Sequence, residues 1–374
     1  MPITLDGTLG ITTPSYGGAD AAEYLVPVTA FKNRIINGAM VIDQRNNGAA
    51  VTTGSGFAVD RFNLTSSQSS KFSAQRNAGS VTPPAGFSNY LGITSSSAYS
   101  VTSSDWFAFY QGIEGFNFAD LNFGTANAKT VTISFWVRSS LTGTFGGAFN
   151  SYTGSRAYPF SYTISAANTW EYKTITIAGD TSGTWVGASN DGAAYVLFSL
   201  GAGSDRQGTA GSWTTPSTTP FTVAGATSVV GTNGATFYIT GVQLEVGSTA
   251  TSFDYRPYGT ELQLCQRYYY QVTGASGNNY EGFATGVADA STSADVIAPL
   301  PVTMRSVPTT SFAGNIVIYD GGVTPLLSSV ANVYGGKTGI YLNLTTGSGL
   351  TVGRGVICYT NNATTNNFAF SAEL

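Results

Sequence analysis

Along KTVTISFWVR, Val131, Ile133, Phe135 and Val137 alternate with Thr130, Thr132, Ser134 and Trp136. A period of two puts successive side chains on opposite faces of an extended strand, one face apolar and one polar. The same reading predicts strands over WEYKTITI at 170–177, AAYVLFSL at 193–200 and ATFYITGVQLEV at 235–246. In the last of these, Phe237 and Ile239 share one phase, while Val242, Leu244 and Val246 share the other. Gly241 stands at the change of phase, which predicts a β-bulge there. Clusters at Gly143, Gly146-Gly147, Gly183, Asp191-Gly192 and Asn233-Gly234 read as turns between strands. Many short strands separated by such breaks predict a jelly roll or β-sandwich over residues 34–257.

The flanking regions differ. Residues 1–33 are interrupted by Asp6-Gly7, Gly10, Pro14, Gly17-Gly18 and Pro27, a spacing that argues against a helix and leaves an extended arm with short β pieces. After Pro257 and Gly259, which mark a domain boundary, Thr260-Glu-Leu-Gln263 fits a capping box that opens a short helix running to about Gln266. A strand follows at 267–272. Residues 258–374 then read as a second all-β unit, with strands expected at 283–287, 296–300, 311–319, 339–344, 355–359 and 368–372. The predicted fold class is therefore all-β: an N-terminal arm, a central jelly-roll or sandwich module and a C-terminal β-sandwich.

Composition sharpens this picture. Charged residues make up 10% of the 374 residues, against roughly a quarter in an average globular protein. Such a surface relies on hydroxyl and amide groups, or on burial in an assembly. The net charge of -4 and the scattered basic residues offer no nucleic-acid footprint. No apolar run is long enough to span a membrane. The start, MPITLDGTLG, lacks the basic and apolar regions of a signal peptide, so synthesis in a cytoplasm is expected. Cys265 and Cys358 are too few for a disulfide framework and read as buried thiols, although a bridge between them stays open.

Histidine is absent, which removes Ser-His-Asp and Cys-His nucleophile systems and His-ligated zinc. No cofactor or metal is expected. Asp43, Glu245 and Asp254 could supply calcium ligands, but their spacing is not diagnostic. Glycoside hydrolysis needs two facing carboxyl groups. No local motif pairs Glu114, Asp120, Glu171, Asp180, Asp191 or Glu245, which read as surface or turn carboxylates. Aromatics at 13% of the chain, with abundant Asn, Gln, Ser and Thr, suit contact with neutral sugars, although aromatics also fill β cores. Loops on a rigid β scaffold commonly carry binding. The loop residues Trp185, Trp213, Tyr152, Arg156 and Tyr158 are therefore the carbohydrate-binding candidates. Trp136, on the polar face of its strand beside Arg138, is the sixth.

Several stretches resemble tail-fibre proteins of tailed bacteriophages, particularly those of cyanobacterial and other marine hosts. They are NRIINGAMVIDQR at 33–45, VDRFNL at 59–64, QGIEGFNFADLNFGTANAKTVTISFWV at 111–137, TWEYKTITIAGDTSGTW at 169–185 and APLPVTMRSVPT at 298–309. The most specific is GTNGATFYITGVQLEVGSTATSFDYRPYGTELQLCQRYYY at 231–270. The resemblance implies a homotrimeric subunit of the virion tail. Its residues 1–33 would attach to the tail or baseplate, residues 34–257 would form a carbohydrate-binding jelly roll, and residues 258–374 would form the trimeric tip. The arm here is short and no long shaft follows it. The expected function is non-enzymatic adsorption to a host surface polysaccharide or lipopolysaccharide. The alternatives are a tail-spike depolymerase, for which the repeat of a parallel β-helix is lacking, and a tail-to-fibre adaptor without host contact.

Overall fold

The computed structural model describes residues 4–6, 10–12, 32–274 and 280–374. In chain order its strands are β1 (Thr4–Asp6), β2 (Gly10–Thr12), β3 (Gly56–Val59), β4 (Phe62–Ser66), β5 (Phe72–Arg76), β6 (Leu91–Ser95), β7 (Trp106–Glu114) and β8 (Val131–Ser139). They continue with β9 (Gly143–Ser151), β10 (Ala157–Ile164), β11 (Glu171–Ile177), β12 (Gly192–Ala202), β13 (Gln207–Gly208), β14 (Thr222–Val223) and β15 (Thr236–Val246). After the helix α1 (Tyr258–Gln266) come β16 (Tyr269–Thr273), β17 (Glu281–Ala290), β18 (Ser293–Pro299), β19 (Thr309–Ala313) and β20 (Ile316–Tyr319). The last four are β21 (Leu327–Gly335), β22 (Gly339–Thr346), β23 (Gly355–Thr360) and β24 (Asn367–Ser371). Strands β1 and β2 pair antiparallel; the rest of the arm expected over 1–33 lies outside the described residues.

Two antiparallel sheets make the first sandwich. One has the order β10-β9-β12-β7-β4-β3 and the other β11-β8-β15-β6-β5. Their inner faces are the apolar phases read from the sequence: Val131, Ile133, Phe135 and Val137 of β8 meet Phe107, Phe109 and Phe198 of the facing sheet in one fully buried cluster. Phe135 and Phe198 cross edge to face with centroids 5.0 Å apart. The second sandwich sets the sheet β20-β23-β17-β18-β22-β21 over the three strands β16-β24-β19, closed by Phe283 stacked on Phe368 at 4.3 Å. The structure is thus an all-β pair of sandwiches, with α1 the one α-helix among the described residues.

The predicted bulge is present. The register of β15 against β8 shifts between Thr240 and Gln243, and Gly241 has a φ of 64°. A Cβ at Gly241 would lie 2.6 Å from the Phe87 ring, so the bulge both re-phases the strand and admits that ring.

Four local expectations are corrected. Gly146 and Gly147 do not form a turn; they lie inside β9. A Cβ there would collide with Thr222 Oγ1 at 2.3 Å or Leu197 O at 2.2 Å, so these glycines mark close approach within a covered strand. Tyr158 likewise sits in β10 and not in a loop. The single strand expected at 311–319 is broken at Gly314, whose φ is 68°, and its halves join different sheets. The capping box does not form: α1 begins after Pro257, with no side-chain cap, and Thr260 lies inside it. Cys265 and Cys358 are both free and buried, in separate apolar clusters, and burial pushes the Cys358 thiol up to about 12.

The sandwiches meet at a junction rich in ionised groups. Arg61, 2% exposed, pairs with Glu373, donates to the Gly112 carbonyl at 2.8 Å and lies over the Tyr268 ring at 3.5 Å. Arg45 pairs with the same Glu373 at 3.0 Å and covers Tyr269 at 3.5 Å. Arg267 binds buried Glu114 through two nitrogens, at 3.0 and 2.5 Å, and Tyr268 donates to the same carboxylate at 2.6 Å. Arg305 donates to the carbonyls of Ala372, Glu373 and Asn190, each at 2.7 Å. Asn37 braces the chain entering this region, with its amide on the Ile42 and Asp60 carbonyls. Arg256 reaches back to the carbonyls of Asn33 and Ile35. The stretches 33–45, 59–64 and 231–270, which carry much of the resemblance, therefore converge here and build architecture.

Candidate functional site

Four of the six sequence candidates come together at one corner of the first sandwich. Trp185 stacks on Phe118 at 5.3 Å and meets Trp213 edge to face at 5.5 Å. Trp213 in turn contacts Tyr158 at 5.3 Å. The indole N–H of Trp213 donates to the Ala178 carbonyl at 2.7 Å, and that of Trp185 to Asp180 at 3.2 Å. Arg156 forks onto Asp180 at 2.6 and 2.8 Å, and its third contact is Thr215 Oγ1 at 2.8 Å. That pairing raises the guanidinium above its ordinary value. The polar handles of this corner thus point into the protein and lock three loops together.

The other two candidates lie on outer sheet faces. Trp136 stands beside Tyr172, centroids 5.3 Å apart, on the outside of the five-stranded sheet. Tyr152 lies against the outside of the six-stranded sheet, where it meets Tyr195 at 6.1 Å.

That second face carries a set of groups the loop-based reading passes over. Strand alternation in β7 turns Phe107 and Phe109 into the core and Trp106 and Tyr110 outward. Register then sets Asn63 beside Tyr110, Thr65 beside Ala108, Tyr195 beside Gly112 and Asn150 beside Tyr195. Ala108, Gly112 and Ala148 lie buried between the rings, with Leu374 and Tyr152 packed against Gly112, and Trp106, Tyr110 and Tyr195 are each partly exposed. Trp106 and Tyr110, four residues apart on one strand, are separated by about 13 Å along it, a span longer than one sugar ring.

The hydrogen-bond valences of this strip are incomplete. Asn63 donates its amide to the Tyr110 hydroxyl, and Asn150 donates its amide to the Tyr195 hydroxyl, each at 3.1 Å. Both phenols therefore act as acceptors toward the protein and keep their own hydrogens uncommitted. Burial pushes Tyr110 and Tyr152 up and Tyr195 up to about 12, so these hydrogens stay in place at physiological pH. Asn150 is fully buried, yet its Oδ1 has no partner among the described residues. The Trp106 ring is held on one side by Arg206, 4.5 Å from its centroid, and by Phe221 at 6.0 Å. Its N–H donates to Thr65 Oγ1 at 3.1 Å. The strip thus offers partly exposed flat rings and neutral phenol donors, with the Asn150 acceptor enclosed beneath them. The sequence signal was available: Trp106, Ala108, Tyr110 and Gly112 form the outward phase of a period-two run.

The carboxylates weighed for hydrolysis are engaged elsewhere. Glu114 and Asp180 are in the buried pairs described above, Asp120 binds Arg34 at 2.7 Å, and Glu171 binds Lys173 at 2.6 Å. Glu245 accepts from Gln243 and Thr251, and Asp191 from Ser189. Glu373, whose charge reaches Tyr110 and Tyr152, is held by Arg45 and Arg61. Among the described residues no group of three acidic or cysteine side chains is placed to hold a metal ion.

No family model matches this sequence, and no curated protein is detectably similar to it. Among solved structures, the chain is similar to the enzymatically active domain of tailspike protein 4 of bacteriophage CBA120, with 13% identity and a TM-score of 0.30 over 58% of this chain. It spans 22% of that chain's length. It is also similar to a family 11 carbohydrate-binding module from Clostridium thermocellum in complex with a mixed-linked tetrasaccharide, with 12% identity, a TM-score of 0.27, and coverage of 54% of this chain and 96% of that one. A third is a family 61 carbohydrate-binding module in complex with β-1,4-galactotriose, with 10% identity, a TM-score of 0.28, and coverage of 53% and 97%. At these TM-scores the likeness is one of loose β-sandwich shape, and the functional reading rests on the chain's own residues.

Proposed function

We propose that this chain is a non-catalytic glycan-binding subunit of a phage tail fibre, which adsorbs the virion to a polysaccharide or lipopolysaccharide of the host surface. The observation that carries the reading is the Trp106–Tyr110–Tyr195 strip with its uncommitted phenol hydrogens. Sugar rings present apolar C–H faces and neutral hydroxyls, and a site of aromatic faces with a few placed polar groups suits them. A charged ligand would find little to pair with there beyond Arg206. Binding without cleavage is supported by the ion pairs that hold Glu114, Asp120, Glu171 and Asp180.

Self-association is supported by the C-terminal unit. One cross-strand row on the outside of its six-stranded sheet runs Tyr319, Ile357, Thr285, Ile297, Tyr341 and Tyr334. Tyr334 is 74% exposed, Ile297 62% and Ile357 51%. An uncharged row of that kind is a surface that association buries, and a homotrimer with residues 1–33 directed to the tail fits it.

The test is calorimetric titration with host surface polysaccharide and a set of neutral oligosaccharides. We expect saturable binding with no new reducing ends. Trp106→Ala should weaken it by about 10- to 100-fold while the thermal unfolding of the protein stays within a few degrees of wild type. Unaltered affinity in Trp106→Ala, or accumulation of cleaved glycan, would overturn the proposal.

A further inference from the structure

On the other side of the first sandwich, outside the five-stranded sheet, a cleft of about 290 Å³ opens between the turn at 84–89, the segment 253–258 and the start of α1. We infer that this cleft is a second ligand site, which takes a single neutral pyranose such as the end residue of a glycan chain.

Phe87, Phe253 and Tyr255 form a closed triangle of rings, with centroids 5.1, 5.4 and 4.8 Å apart. The triangle is fixed from below, because Phe87 packs on Gly241 at the bulge and the Tyr255 hydroxyl donates to the Gly86 carbonyl at 2.6 Å. Tyr255 nevertheless remains 55% exposed, and Tyr258 beside it 62%. Aromatic rings held in place and left open to water fit a partner that covers them.

The polar groups set the ligand's character. Arg256 and Glu261 line the cleft as an ion pair at 3.2 Å, with Asp254 on the other side of Arg256 at 3.8 Å, so neither lining charge stands unpaired toward a ligand. Asn89 takes a hydrogen bond on its Oδ1 from Asn77 at 2.9 Å, which leaves its amide hydrogens directed elsewhere. The Ser88 and Tyr258 hydroxyls have no partner among the described residues. These groups offer several neutral donors and a carboxylate able to accept from hydroxyls. Pockets for drug-sized ligands begin at about 300 Å³, so the volume accommodates one ring and not an extended chain. The strip lies outside one sheet and the cleft outside the other, with the sandwich core between them. No short glycan segment reaches both, and each subunit could hold two strands, raising avidity without new contacts. That last consequence rests on the proposed function; the cleft itself does not.

Ligand-observed saturation-transfer NMR on the full chain tests the inference, with the methyl glycosides of glucose, galactose and N-acetylglucosamine as probes. In a Trp106→Ala background, which removes the strip, we expect transfer to at least one of them, reduced about fivefold or more when Tyr258→Ala is added. Ser88→Tyr, which narrows the cleft from its exposed rim, should give the same loss by a different route. Absence of transfer to all three probes would overturn the inference. So would transfer that survives both cleft variants in the Trp106→Ala background, while transfer seen with Trp106 intact and lost entirely in Trp106→Ala would place the sugar on the strip instead.

Discussion

At the junction between the sandwiches, Arg61, Asp60 and Glu114 lie almost wholly buried. On the outer face of the C-terminal six-stranded sheet, Tyr334, Ile297 and Ile357 lie open to solvent. The usual preference of charge for the surface and of hydrocarbon for the interior is reversed between the two regions. With so few charged residues in the chain, placing several of them at the junction goes with an uncharged exposed row on the C-terminal sheet. A buried ion pair costs desolvation but fixes geometry, because each partner has one acceptable position. A neutral apolar face imposes no such geometry alone and gains by being covered. The junction is thus suited to hold two units in one orientation, and the sheet face to meet another surface.

The strongest way to break this contrast is to remove one member of a junction pair. Arg267→Ala leaves Glu114, itself buried, without its cation and with Tyr268 as its remaining close donor. The expected cost is about 3–5 kcal/mol of stability, seen as a lower urea midpoint. A loss below about 1 kcal/mol would show that the pair behaves as a surface bridge.

Asp60 gives the junction a pH dependence. Burial pushes its carboxyl up to about 6, against the pull of Arg45 and Gln44. Because the folded value lies above the ordinary 3.8, the folded protein holds this proton more tightly than the unfolded chain. Its contribution to stability is present in full below about pH 4 and is lost as pH rises through about 6. The difference amounts to about 3 kcal/mol at most. Asp60→Asn keeps an acceptor for the Gln44 N–H and cannot ionise. Its stability should gain on wild type steadily between pH 4 and 7, and parallel curves over that window would remove Asp60 as the cause.

Much of the fold was legible and much of the site was not. Strands β8, β11, β12 and β15 were readable because each keeps one apolar phase against the core, and the bulge because that phase slips at Gly241. Strand β9 was hidden by Gly146 and Gly147, which look like turn residues in one dimension and are space-making residues under Thr222 and Leu197. Strand β21 was missed because its exposed residues, SSVANVYG, carry no buried phase to detect. The loop aromatics Trp185 and Trp213 were correctly placed in loops, but no pattern in the chain reveals that their N–H groups turn inward. The strip depends on register, which brings Asn63, Tyr110, Tyr195 and Asn150 together from four strands.

The exposed row should respond to charge at its centre. Ile297→Lys and Ile357→Lys each place an ammonium on a face that association would bury. Since both positions are open, monomer stability should change little. Association should weaken by about 1.5–3 kcal/mol for the loss of one buried aliphatic contact, read by sedimentation velocity as a shift to smaller species. A sedimentation profile identical to wild type in both variants would assign the face to solvent.

The smallest effect is the most specific. Tyr195→Phe keeps the ring on the strip and removes only the hydroxyl. Inside the protein, Asn150 loses one acceptor but retains the Pro220 carbonyl at 3.2 Å, so stability should move by less than about 1 kcal/mol. Toward a ligand, the strip loses a neutral donor with no internal use for its hydrogen. If that hydrogen meets a sugar hydroxyl, affinity should fall about fivefold, the worth of one hydrogen bond of about 1 kcal/mol. At the junction the carboxylates of Glu114 and Glu373 are closed on arginines, and deleting a partner is felt in folding. On the strip the valence is open, and its deletion should be felt in binding. A Tyr195→Phe protein that binds as wild type but unfolds more readily would show that the hydroxyl belongs to the first category and not the second.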